Sequence, residues 1–481
     1  MGQPVRSTRP DAVAQLAAPA SGHPGGAAAG SDAHALGRGL KQRHVVMLSI
    51  GGSIGAGLFV GSGHAIAEAG PAAILAYVFA SVLVVLVMRM LGEMACAMPD
   101  SGSFSTYADK AIGPWAGFTI GWLYWWFWVL VIPLEAAAAA NILTGWFPGI
   151  PMWEFSLFVT LLLTGTNLAS VKHYGELEFW FSVIKVTGIV LFIGCGVLAL
   201  CGALPGVRID PLANLTHHGG FVPRGLTPIV GALLTTMFTY LGTEVVTIAA
   251  AESANPAREI SRAITSVVWR ISLFYIGSVF VIICLVPWND PRLTEIGSYQ
   301  ASLQTLHVPY AKLLVDILVL VAVGSCLNSA LYTASRMLFS LGSRGQAPAL
   351  VTRTNAAGVP VAAVIGSTLV AFVVVAANYL APKCVFDTLL SSTGAIALVV
   401  YLVIAISQLK LRARLARTST LKVRMWLHPW LGLLVVALIV GAFVVMVRSA
   451  DHRQEVVATL ASCAALALLG YWHQRRSRAR S

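Results

Sequence analysis

Gly51-Gly52-Ser53-Ile54-Gly55-Ala56-Gly57 puts four glycines into seven residues, inside an apolar run that extends over roughly 44–68. Each glycine costs about 1 kcal/mol of helix propensity relative to alanine. A run of about 20 apolar residues is long enough to cross the hydrocarbon of a bilayer. At that depth, non-helical backbone is tolerated only where it lines a cavity or is buried in protein. The stretch therefore predicts a membrane helix broken at residues 53–57. Its outer half would begin with freed amide N–H groups, a positive end able to hold a carboxylate without an added cation. Without side chains, Gly55 and Gly57 let a ligand approach the backbone. The competing reading is close helix packing through small residues. No strand precedes these glycines and no G-x-G-x-x-G passes through them, which argues against a dinucleotide site.

The rest of the chain fits a membrane setting. Of 481 residues, 57% are hydrophobic and 11% charged, too little charge for the surface of a soluble domain of this size. Apolar runs recur, and we place spans at roughly 44–68, 71–96, 115–144, 153–170, 177–203, 228–251, 268–287, 312–341, 359–380, 385–408, 428–447 and 454–473. The sixth span carries a second interruption, Tyr240-Leu241-Gly242-Thr243-Glu244, with Pro228 at its start. Interrupted helices in the first and sixth spans are the pattern of a transporter built from inverted repeats around a midplane site. The expected architecture is an all-α membrane protein of twelve helices, with repeats at about 44–204 and 228–408 and two extra helices at about 428–473. The symmetry is read from position, since the halves share no residue-level similarity. Residues 1–36, rich in Ala, Gly, Ser and Pro, are expected to form a disordered tail rather than a signal peptide. The transporter domain is expected over 37–474, followed by a basic tail at 475–481.

The net charge of +12 comes from 32 Lys and Arg against 20 Asp and Glu. Most of the basic residues fall in loops on one side, densest at 410–424 and 475–480. Only Arg208, Arg224, Arg292, Lys312, Lys383, Arg448 and Arg453 fall opposite. The bias places both termini in the cytoplasm, with membrane lipid rather than nucleic acid as the surrounding partner. The seven cysteines lack paired spacing and read as buried small hydrophobes, with no metal site.

Charges within spans are functional candidates because they are costly there. Lys185 stands deep in span five, in Phe179-Trp180-Phe181-Ser182-Val183-Ile184-Lys185-Val186, too far from either end to snorkel easily. It reads either as a proton-loadable amine or as a permanently charged strut bonded to broken backbone. Glu135, Glu244 and Glu252 fall within or at the edges of spans, and Glu244 lies in the second break itself. Freed carbonyls near Phe238, Thr239 and Leu241 are candidates to accept from a substrate ammonium, which would let the two breaks hold a zwitterion at both ends. Phe238 and Tyr240 read equally as ordinary aromatic packing. Span three is crowded with aromatics from Trp122 to Trp128. No catalytic triad, metal-ligand cluster or P-loop is visible, so neither an enzyme nor an ATP-driven pump is expected.

The segment Ser53-Ile54-Gly55-Ala56-Gly57-Leu58-Phe59, followed by Gly70-Pro71 and Gly92-Glu93-Met94, resembles the amino acid–polyamine–organocation superfamily. Gly102-Ser103-Phe104-Ser105-Thr106-Tyr107-Ala108, residues 121–135, Lys172-His173-Tyr174-Gly175-Glu176 and residues 325–336 are similar to its γ-aminobutyrate permease branch. The resemblance runs from about residue 38 to near the end. It implies a LeuT-like fold of ten core helices plus two, and proton-coupled uptake of an amino acid across a bacterial cytoplasmic (inner) membrane. The proton gradient would supply the energy, with no cofactor. The motif at Ser53, Ile54, Gly55, Ala56 and Gly57 would bind the substrate carboxylate. The backbone at Phe238, Thr239 and Leu241 would take the amine. Lys185, at the place of a sodium ion in sodium-coupled relatives, would couple to protons together with Glu244, which matches a family-wide acid. γ-Aminobutyrate is longer than an α-amino acid, and Tyr124, Asn328 and Ser329 are the candidates to set that length. The alternatives are a permease or exchanger for an α-amino acid such as proline, or a membrane sensor on a transporter scaffold. Oligomeric state is left open.

Overall fold

The computed structural model describes residues 36, 40–51, 54–240, 242–380, 382–418, 421–449 and 453–478. The expected tail at 1–36 lies almost wholly outside the described residues, as do 479–481, Ser53 and Leu241. Among the described residues the chain is helical throughout. The one β-type contact is an isolated parallel bridge between Leu40 and Ser253.

Eight stretches are long and apolar enough to cross a membrane by length and composition alone. One of them, Gly57–Ala97, holds the end of span one and all of span two, divided by a turn at Gly70, whose φ of 71° suits glycine. The others are Pro114–Trp146 (span three), Val171–Leu200 (five), Thr227–Ala251 (six), Ala311–Ser343 (eight), Gly394–Arg417 (ten), Trp430–Arg448 (eleven) and Arg453–Arg476 (twelve). Met152–Ala169 (four), Val361–Leu380 (nine) and the run from Pro256 through Ile271–Gly277 to Ser278–Leu285 (seven) complete the set. The protein is an all-α membrane protein of twelve spans.

Burial sorts these helices into inner and outer ones. The most apolar window of span six is 82% buried, whereas that of span twelve is 17% buried. Span six is therefore central and span twelve peripheral. Large apolar side chains such as Leu191, Phe158, Trp180 and Leu468 face outward. In water that surface would be a liability, but it is the expected face toward lipid tails.

Both sequence breaks are present. Span one runs as Gln42–Gly51, is irregular at Ile54 and Gly55, and continues at Gly57–Gly61 as a π-turn leading into Ser62–Ala69. Span six runs as Thr227–Tyr240 and resumes at Val245–Ala251. The two breaks are neighbours. A side chain at Gly57 would meet Phe238 and Thr239 of span six at 3.0 Å.

Candidate functional site

Breaking a helix frees one set of amides and one set of carbonyls, and in lipid each must find a partner within the protein. In span one both partners come from other helices. The Ala56 N–H points at the Glu135 carboxylate of span three, 3.0 Å from Oε2 and 3.2 Å from Oε1. Two residues earlier, the Ile54 carbonyl accepts from Lys185 Nζ of span five at 3.2 Å. A buried carboxyl and a buried amine thus bracket the unwound segment. Both side chains are essentially inaccessible, at 1% and 0% exposure.

Span six solves the same problem locally. Gly242 sits at φ 111°, a conformation suited to glycine, and its N–H is 3.0 and 3.1 Å from the two oxygens of Glu244. The Tyr124 hydroxyl of span three donates to Glu244 Oε1 at 2.8 Å, and Thr247 Oγ1 donates to the Glu244 carbonyl at 2.7 Å. The carboxylate is held by its own break.

Between the breaks lies a narrow, nearly filled cavity of about 10 Å³, lined by Gly55, Gly57, Phe127, Trp128, Val131, Glu135, Phe238, Thr239 and Cys326. Phe127 meets Trp128 edge-on at 5.2 Å between ring centres and Phe238 at 6.4 Å. The walls are apolar and aromatic, and the polar groups cluster at the breaks, the usual composition of a small-molecule site. Glycine is required at its floor. A Cβ on Gly55 would lie 2.5 Å from Glu135 Oε1 and 2.7 Å from Cys326 Cβ.

Aromatic and charged groups close over both ends of the helix bundle. One turn beyond the first break, Phe59 packs on Tyr299 at 4.7 Å, and Tyr299 on Phe192 at 4.2 Å. Ser62 and Ser298 share a hydrogen bond of 2.7 Å beside them. At the other end Arg43 pairs with Glu176, and the buried Arg336 pairs with Glu252 at 3.0 Å while its guanidinium covers the Tyr332 ring. Outside the spans, the Arg292 side chain bonds Asp290 and holds its carboxyl below the ordinary aspartate range.

The sequence-derived candidates divide clearly. Gly55, Gly57, Phe238 and Thr239 line the cavity, and Ile54 and Ala56 offer it backbone groups. Lys185 stands behind the first break and Glu244 within the second. Tyr124 and Asn328 are outside the lining. Tyr124 is committed to Glu244 and packs edge-on against Phe104 at 4.7 Å. Asn328 faces spans four and five, with its amide 3.4 Å from Glu178 Oε2 and its carbonyl accepting from Asn167 at 2.7 Å. Ser329 meets the Tyr174 hydroxyl at 3.3 Å. The polar groups of all three are thus turned to other helices.

Several site residues had no distinct sequence signal. Phe127, Trp128 and Val131 are three among many apolar residues of span three, and Cys326 looked like any buried cysteine. Glu135 was visible only as an intramembrane acid. Glu178 went unnoticed, although it is fully buried and lies seven residues before Lys185. Seven residues are about two turns, so both project from one helix face, and that spacing was the available signal. Among the described residues no group of three His, Cys, Asp or Glu side chains is placed to hold a metal ion.

Comparison with known proteins agrees with this geometry. The chain is 60% identical over 443 residues to a probable GABA permease of Pseudomonas aeruginosa, covering 92% of this chain and 93% of that one. It is 57% identical over 430 residues to the gamma-aminobutyric acid permease of Escherichia coli, covering 89% and 92%. An aromatic amino acid transport protein of Corynebacterium glutamicum is 40% identical over 440 residues, covering 91% and 95%. Among solved structures, a mutant of the Eremococcus coleocola manganese transporter superposes with a TM-score of 0.57 at 13% identity, covering 92% of this chain and 95% of that one. At that identity the likeness concerns the fold, a LeuT-like five-plus-five arrangement with two appended helices. Residues 44–476 match the amino acid permease family. The chain belongs to that family, and is a multi-pass membrane transporter of amino acids rather than an enzyme.

Proposed function

We propose that the protein takes up γ-aminobutyrate, or a related ω-amino acid, by proton symport across a bacterial cytoplasmic membrane. The substrate class rests on the Pseudomonas and Escherichia relatives, which are named for γ-aminobutyrate. The observation that carries the mechanism is the carboxylate already seated on the Ala56 amide, with Lys185 on the Ile54 carbonyl beside it. An amide that donates to the Glu135 carboxylate has the geometry to donate to a substrate carboxylate instead. The two anions repel at one N–H, by about 4 kcal/mol for unit charges 4 Å apart at an effective dielectric of 20. Glu135 therefore moves away, or takes a proton, as substrate binds. The backbone at Phe238, Thr239 and Leu241 receives the ammonium, and the methylenes lie against Phe127, Trp128 and Val131.

Protons enter through Lys185. Its ammonium holds the Ile54 carbonyl, so gain or loss of a proton there alters how tightly the first break is pinned. Glu244 braces the second break. No cofactor is needed, because the proton gradient supplies the energy. The excess of Lys and Arg in the loops at 410–424 and 475–480 supports an orientation with both termini in the cytoplasm.

The aromatic walls and the Corynebacterium relative favour one second reading, a permease for an α-amino acid with a bulky side chain. A single experiment separates them. Proteoliposomes with an imposed proton gradient are given labelled γ-aminobutyrate, with unlabelled proline, phenylalanine or γ-aminobutyrate as competitor. Accumulation that follows the proton gradient and is blocked only by the ω-amino acid supports the first reading. Uptake that follows sodium, or is blocked by phenylalanine, defeats it.

A further inference from the structure

Glu178 lies behind the first break, away from the cavity and at full burial. Its Oε1 is 3.8 Å from Lys185 Nζ, too far for a direct hydrogen bond. The Ser325 hydroxyl of span eight fills that gap. It accepts from Lys185 Nζ at 2.7 Å and donates to Glu178 Oε1. Lys185 reaches back along its own helix toward Glu178, as side chains on a helix lean toward its N-terminus. The other carboxylate oxygen faces the Asn328 amide, and Asn328 is fixed in turn by Asn167. The carboxylate is thus oriented by two side chains of span eight.

We propose that Glu178 is the second proton-holding residue of the transport cycle and receives the proton of Lys185 through the Ser325 hydroxyl. Lys185 passes one ammonium proton to Ser325 Oγ while the Ser325 hydroxyl proton passes to Glu178 Oε1. The ammonium becomes an amine, the carboxylate becomes a carboxylic acid, and the hydroxyl is regenerated. Net charge is unchanged, so the buried site never holds an uncompensated ion, which would be the costly state. The neutral amine holds the Ile54 carbonyl less strongly, because a hydrogen bond from a charged donor is about twice as strong as a neutral one. Transfer to Glu178 therefore loosens the first break. In the orientation proposed above, Glu178 is also nearer the cytoplasm, about 10 Å along the helix from Lys185.

The neighbouring charges do not substitute for it. Glu135 of span three and the Cys326 thiol of span eight face Lys185 from the cavity side. Around Glu178 lie the Tyr174 hydroxyl and, beyond it, the mutually paired Arg336 and Glu252. Ser325 is hydrogen-bonded to both members of the pair.

The inference rests on the proton symport proposed above, and the test separates the two. Full-length wild type, E178Q, E178D and S325A are reconstituted, and two quantities are measured: proton-driven accumulation of labelled γ-aminobutyrate, and its exchange across vesicles of equal pH. Wild type should accumulate. E178Q should lose accumulation by about a hundredfold, the scale of a lost proton transfer, while exchanging within about threefold of wild type. E178D should recover part of the accumulation, and S325A should slow accumulation while sparing exchange. Full accumulation by E178Q with the wild-type pH profile overturns the relay but leaves symport standing. Equal loss of exchange and accumulation in E178Q and E178D shows a structural strut and also overturns it. Wild-type transport indifferent to protons overturns both proposals, and is seen before any substitution is made.

Discussion

The two broken helices face the same chemical problem and answer it differently. In span six the freed Gly242 amide is met by Glu244, two residues away on the same chain segment. In span one the freed Ala56 amide is met by Glu135, 79 residues away on another helix. A local carboxylate is carried with its own break and has little reason to leave. A carboxylate from a separate helix is held only while the two helices keep their distance. The difference teaches which break is a brace and which is exchangeable. On the proposed mechanism span one has the replaceable carboxylate, and it is the break flanked by a lysine and floored by glycines.

That contrast can be broken by substitution. The largest effect is expected from Gly55→Ala, whose new methyl would press on Glu135 and Cys326 at the floor of the cavity. Overpacking of this kind costs about 1–3 kcal/mol, or roughly a tenfold to hundredfold loss of substrate affinity, read from uptake at varied substrate concentration. Wild-type affinity in that variant would mean that ligand never approaches the first break. Next in size, Glu244→Gln should lower thermal stability in detergent by about 1–3 kcal/mol, since it removes a charged acceptor from the Gly242 amide and Tyr124. The pH dependence of its uptake should stay that of wild type, because the brace takes no part in exchange.

Asn328→Ala is expected to be milder. It deletes the amide that joins Glu178 to Asn167, a loss of about 0.5–1.5 kcal/mol for hydrogen bonds inside a membrane protein. The ranking of competitor amino acids should be unchanged, and a changed ranking would put Asn328 back among the groups that measure substrate length. The smallest effect belongs to Arg292→Ala, remote from both breaks. Its half-exposed pair with Asp290 is worth about 0–1 kcal/mol at neutral pH. The Asp290 carboxyl is held low in the folded protein, so this contribution is present above its ordinary value of 3.8 and fades as pH falls below it. Melting curves of wild type and variant should therefore differ more at pH 7 than at pH 3.

How much of this was legible in the sequence follows from the range of each interaction. The spans, the two breaks and their correspondence are local: runs of apolar residues, clustered glycines, and Gly242 beside Glu244 declare themselves within a window of one helix. Lys185 was legible because a lysine at that depth is costly and needs a partner or a role, whether as strut or as proton carrier. The roles of Glu135 and Ser325 were not, since each acts on a group far away in sequence, Ala56 and the Lys185–Glu178 pair. Nothing in their own neighbourhoods reports that distance. Tyr124 and Asn328 show the converse. Their chemistry suited a ligand, but the fold turns both toward neighbouring helices.

The exchangeable carboxylate is tested most directly by equilibrium binding of γ-aminobutyrate to wild type and Glu135→Gln at pH 6 and pH 8. In wild type, the Glu135 carboxylate competes for the Ala56 amide, so substrate binds more weakly wherever Glu135 is ionised. In the variant that competitor is neutral. Affinity at pH 8 should rise by about tenfold, equivalent to roughly 1.4 kcal/mol, and the pH dependence should flatten. Equal affinities in the two proteins with the same pH dependence would contradict it, and would place the substrate carboxylate somewhere other than the break in span one.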